Sequence, residues 1–154
     1  MKLTWHDLLI DNVSVEQWRE WLLPWNGVVK GDIAPIFMNK FGSWFFRHSS
    51  GEIGMFNVLT GCHSVVAETQ DQFVKQVNRE EWQQEFLLSK SILTLRKSGK
   101  ILSENQCYAI CPHPALGGIN PSDYEYLDPK FVLPMGVRVW QSICAQSLIR
   151  CNQV

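Results

Sequence analysis

Residues 31–68 read GDIAPIFMNKFGSWFFRHSSGEIGMFNVLTGCHSVVAE. Within them, Pro35–Met38, Ser43–Arg47, Gly54–Leu59 and His63–Ala67 are rich in Phe, Val, Ile and Trp. Turn-type clusters separate these runs at Lys40–Gly42, Ser49–Gly51 and Thr60–Gly61. Connections this short join antiparallel neighbours, because a parallel crossover needs a dozen or more residues. The pattern predicts a meander of three or four strands.

Helical spacing flanks the meander. Ser14 followed by Gln17 makes a capping-box start, and Val15, Trp18 and Leu22 recur on one face until Pro24, with Trp21 and Trp25 beside them to widen it. Beyond Thr69, Phe73 and Val77 stand at i, i+4, and Trp82, Phe86 and Leu93 continue a stripe. Arg96 and Lys97 precede Gly99, the usual order at a helix C-terminus. Two further strands are expected at Gln106–Cys111 and Tyr124–Leu127. A last helix is expected from Pro134–Gly136, with Val137, Trp140, Cys144 and Leu148 on one face and Ile143 beside them. Strands in one block with N-terminal, central and C-terminal helices around them predict an α+β fold. No linker or internal repeat interrupts residues 1–154, which read as one domain: meander 31–68, helical 69–98 and a C-terminal region 99–150.

Composition narrows the function. The 154 residues are 45% hydrophobic and 19% charged, as expected of a chain with a packed core. The net charge of −1 provides no basic field for a phosphate backbone, which argues against direct nucleic-acid binding. Asp7 and Asp11 interrupt the N-terminal apolar run, and no stretch of about 20 apolar residues occurs. A cytoplasmic protein without membrane association is the expectation. Five cysteines at 62, 107, 111, 144 and 151 then read as free thiols. Seven tryptophans and eight phenylalanines are enough both for a core and for a surface or pocket lined with aromatics.

Catalytic and cofactor signatures are missing. G-x-S-x-G, G-x-G-x-x-G and the Walker A pattern do not occur. Gly117-Gly118 reads as a tight turn needing positive φ. Cys107, Cys111 and His113, with Cys62-His63 elsewhere, raise the question of zinc. On a strand, however, positions 107 and 111 lie about 13 Å apart, too far for one ion. Buried free cysteine packs as a small apolar side chain. No enzyme, cofactor or metal site is expected. Charge placement is more informative. Residues 101–129 carry Glu104, Asp123, Glu125 and Asp128 and no Lys or Arg. Residues 68–85 carry Glu68, Asp71, Glu80, Glu81 and Glu85 against Lys75 and Arg79. Such a face suits a basic protein partner.

One segment has a family likeness. Gly99, Gln106-Cys107-Tyr108, Pro114-Ala115-Leu116-Gly117-Gly118, Tyr126-Leu127-Asp128 and a helix from near Pro134 follow one another between Ser98 and Ile143. This order resembles the C-terminal domain of the type VI secretion DNase-immunity proteins, a family also found beside GAD-related domains. Gly31-Asp32-Ile33 and the strands after it are similar to what precedes that domain. Glu104-Asn105, Ala109-Ile110-Cys111 and Pro112-His113-Pro114 depart from the family pattern. The resemblance implies a bacterial immunity protein that binds and neutralises a cognate toxin, in the named case a nuclease, with no catalytic residue of its own. Glu80, Glu81, Glu85, Glu104, Asp123, Glu125 and Asp128 are the expected contact residues. The alternative is a regulatory or adaptor module that binds a small ligand or partner through an aromatic pocket.

Overall fold

The computed structural model describes residues 2–151. A one-turn helix α1 (Trp5–Leu8) leads into a two-residue strand β1 (Leu9–Ile10), and α2 (Val15–Trp21) follows. Four strands come next: β2 (Ile33–Asn39), β3 (Trp44–His48), β4 (Ile53–Asn57) and β5 (Cys62–Ala67). The central helices are α3 (Gln70–Gln76), the single turn α4 (Glu80–Trp82) and α5 (Ser89–Lys97). Strands β6 (Gln106–Ile110) and β7 (Val132–Gly136) precede the C-terminal α6 (Val137–Arg150). All strand pairings are antiparallel, in a five-stranded sheet ordered β1-β2-β3-β4-β5 and a two-stranded sheet β6-β7. The fold is α+β, as the alternation of textures predicts.

The central strands are buried on both faces, which explains their unbroken apolar runs. Trp44, Phe45 and Phe46 in β3 are all buried, as are Ile53, Met55 and Phe56 in β4. Phe37 and Phe45 meet at 4.7 Å and face the central helices, where Phe45 lies 5.9 Å from Trp82 and Phe37 lies 6.0 Å from Phe73. On the opposite face, Trp44 stacks on Phe56 at 5.1 Å, and Phe56 meets Trp25 at 4.8 Å. Helix α6 presents Val137, Trp140, Cys144 and Leu148, all essentially inaccessible, as its spacing predicts.

Four expectations change. Val15 is 67% exposed and drops out of the stripe, while Trp18, Trp21 and Trp25 are buried as expected, Trp25 from the 3-10 turn Leu23–Trp25. The central stripe is Phe73, Trp82, Leu87, Leu88, Ile92 and Leu95, while Phe86 and Leu93 are only half-buried. A π-helical turn at Gln83–Leu87 and a left-handed Leu88 (φ 57°) re-phase the helix, so one periodicity does not run through it. Residues Tyr124–Leu127 form a turn and not a strand, and Tyr126 is 79% exposed. The partner of β6 is β7, where Pro134 stands opposite Tyr108. Pro134 thus belongs to a strand, and α6 starts only at Val137. A two-stranded ladder tolerates a proline at its edge. The Tyr108 N–H goes to the Lys40 carbonyl at 2.7 Å.

Candidate functional site

The turn Asn39–Ser43 is where the two sheets and α6 meet. The Asn39 side chain accepts the Phe41 and Ser43 N–H groups, both at 3.0 Å, and donates to the Phe86 carbonyl at 2.9 Å. Trp140 Nε1 donates to the Phe41 carbonyl at 2.8 Å, and Gln141 Nε2 donates to the Gly42 carbonyl at 2.7 Å. Gln141 Oε1 accepts Trp25 Nε1 at 2.6 Å. A Cβ at position 42 would lie 2.8 Å from the Trp140 ring, so helix and turn touch through a glycine at φ +94°. The turn is therefore held by all its neighbours, and its one charged side chain is Lys40.

Lys40 lines a cleft bounded by α1, β1 and the 100–106 segment. One chamber of about 220 Å³ includes Asp7, Arg96 and Tyr108 in its wall. A second of about 450 Å³ includes Asp11, Trp21 and Glu104. His6, Lys40 and Leu102 belong to both. Asp7 is already engaged, since it pairs with Arg96 and accepts the Thr4 N–H at 2.8 Å and the Thr4 hydroxyl at 3.0 Å. The Thr4 amide, more than Arg96, holds this carboxyl below the usual range against an opposing effect of burial. Burial pulls the Lys40 ammonium below its ordinary value, opposed by Asp11 and Asp7. Tyr108 donates its hydroxyl to the Lys100 carbonyl at 2.6 Å, and burial raises its pKa. In the sequence Lys40 stands merely in a turn-type cluster. Nothing local distinguishes it from any other turn lysine.

The expected acidic residues divide. Glu80, Glu81, Glu85, Glu104, Asp123 and Glu125 are exposed. Gln84 Nε2 donates to the Ser122 carbonyl at 3.4 Å, Ser91 donates to the Pro121 carbonyl, and Lys90 Nζ reaches the Tyr124 hydroxyl at 3.4 Å. The segment bearing Glu85 and the loop bearing Asp123 and Glu125 are thus in contact. Glu104 lies instead on the rim of the cleft. Asp128 caps the 3-10 turn Pro129–Phe131 through Lys130 N at 3.1 Å and pairs with the Lys130 ammonium at 3.4 Å.

His113, Cys107 and Cys111 have structural surroundings. His113 Nδ1 accepts the Ala115 N–H at 3.0 Å, so Nε2 carries the hydrogen and donates to the Val58 carbonyl at 3.0 Å. Both ring nitrogens are engaged, and neither is free for a metal or a thiol. Burial raises the pKa of Cys107 and of Cys144, which disfavours the thiolate of either. Among the described residues, no three His, Cys, Asp or Glu side chains cluster as metal ligands would. Six of the seven tryptophans are buried, and only Trp5 is exposed.

No protein-family model and no curated protein matches the chain. A solved structure is similar, that of Atu4351 from Agrobacterium tumefaciens, with a TM-score of 0.56 at 16% identity. The match covers 82% of this chain and 61% of that one. The likeness is one of fold. The chain spans less than two thirds of that protein, and no helix among the described residues is long and apolar enough to cross a membrane.

Proposed function

We propose that this chain is an immunity protein, acting without catalysis, that binds and neutralises a cognate toxin, a nuclease being the class its charge best suits. The observation that carries the reading is the junction between Gln84–Ser91 and residues 121–124, which brings exposed acids from two distant segments onto neighbouring elements. A nuclease cleft is basic because it holds phosphates, so an exposed acidic surface complements it and steers its approach. Tyr126 is exposed beside Glu125 and adds an aromatic contact of the kind enriched at interfaces. The Ser98–Ile143 resemblance points the same way and implies binding in the bacterial cytoplasm as part of a type VI secretion system. Docking needs only exposed charge, which Glu80, Glu81, Glu85, Asp123 and Glu125 supply.

The experiment is co-expression with the toxin encoded beside this chain, followed by gel filtration of the pair. Protection of the host and co-elution as one species are expected. Equal killing with and without the chain, or separate elution, would overturn the proposal.

A further inference from the structure

The cleft around Lys40 has a polarity that docking through Glu85 and Asp123 does not use, since neither residue lines it. We propose that it is a binding site for a small organic carboxylate carrying a cationic group at its other end, a basic α-amino acid being the simplest example.

The case begins with Lys40. Its side chain is half-buried, yet among the described residues its ammonium takes part in no ion pair or hydrogen bond. Asp7, one of two acids close enough to influence it, is committed to Arg96 and Thr4. A cation partly withdrawn from water gains when something supplies a partner. The backbone beneath it is fixed by the Asn39 side chain and by Tyr108 N–H on its own carbonyl, so the ammonium projects from a rigid base. A ligand carboxylate is the missing partner.

The two chambers differ in sign. The smaller one holds Lys40 and Arg96 against Asp7 alone, an excess of one positive charge apart from His6. The larger one shares Lys40 and adds Asp11 and Glu104, both exposed. A ligand with its carboxylate in the smaller chamber and its cation in the larger satisfies both ends, whereas a simple anion or a simple amine satisfies one. Trp21, Leu9 and Leu102 provide apolar wall for the stem between them. Volumes of about 220 and 450 Å³ suit a small molecule such as an amino acid or dipeptide rather than a folded partner.

The test is isothermal titration calorimetry on the full chain, with L-arginine, agmatine (the same molecule without its carboxylate) and acetate as three separate probes. L-arginine is expected to bind best. Lys40→Met is expected to weaken it about thirtyfold, as removing one partner of a desolvated charge pair does. Glu104→Gln, a rim change that leaves the buried wall intact, is expected to weaken L-arginine severalfold and leave acetate unchanged. If Lys40→Met does not fold, the Glu104→Gln result and the order of the three probes decide the matter. Equal binding of agmatine and L-arginine, unchanged binding to Lys40→Met, or no heat with L-arginine up to about 10 mM would each overturn the proposal.

Discussion

At Gly118 a methyl group has nowhere to go: a Cβ there would lie 1.8 Å from the Pro112 carbonyl oxygen. Gly117, its neighbour, has open space around it but sits at φ +95°. The two glycines of one turn are therefore required for different reasons. Gly117→Ala is expected to cost about 1–2 kcal/mol, the strain of left-handed backbone in an L-residue. Gly118→Ala is expected to cost about 3 kcal/mol or more, because the clash is with backbone that cannot rotate away. Urea unfolding of both variants checks the order, and a Gly118→Ala protein as stable as Gly117→Ala would contradict it. His113, five residues earlier, links stability to pH. Burial holds its folded pKa below the ordinary value, with the bond to Val58 opposing, so the unfolded chain takes up a proton more readily. This contribution is complete above about pH 6.5 and is lost as pH falls through the lowered folded value. Asp7, also lowered in the fold, contributes at pH above the ordinary carboxylate range near 3.9 and loses that contribution in a separate, more acidic window. The unfolding midpoint should drop between pH 7.5 and 5, and His113→Gln should flatten that drop. An identical drop in the variant would remove His113 as its cause.

Among elements, the attachment of α6 to the Asn39–Ser43 turn rests on few groups, and Gln141 is the most connected of them. Gln141→Leu keeps roughly the same volume but strands Trp25 Nε1 and the Gly42 carbonyl in a dry interior. A loss of about 2–4 kcal/mol is expected, since each buried polar group left unpaired costs about 1–3 kcal/mol. Gln146→Leu on the exposed side of the same helix should stay within about 0.5 kcal/mol of the parent. Thermal unfolding of both variants checks this, and equal effects would mean that α6 is held by its apolar stripe alone. The β2–β5 meander was legible because its signals are local, with Lys40–Gly42, Ser49–Gly51 and Thr60–Gly61 each marking a chain reversal. The stripe Val137, Trp140, Cys144 and Leu148 was legible for the same reason. Tyr124–Leu127 misled because two tyrosines and a leucine resemble a strand, while Pro121 and the Asp128 cap commit the segment to turns. The bonds from α6 to the turn join residues about a hundred positions apart, and no window along the chain contains both partners. Lys40 was invisible as a site on the same grounds.

Across the whole molecule, α5 separates two differently charged regions. Its N-terminal end carries Lys90, against Tyr124 of the acidic loop, and Ile92 and Arg96 further along line the cleft. If the acidic junction is the docking surface, charges near Tyr124 should govern association with the toxin and the rim of the cleft should not. Glu85→Lys combined with Asp123→Lys is expected to slow association about tenfold or more at low salt, with the deficit shrinking as salt screens the surface. Dissociation should change less, because exposed charges act mainly on the encounter. Glu104→Lys, which alters net charge in the same direction from another part of the surface, serves as the control for a global effect. Stopped-flow association at two ionic strengths separates these outcomes. A deficit in Glu104→Lys as large as half that of the double variant would mean that net charge, and not the junction at residues 84–91 and 121–124, steers the partner.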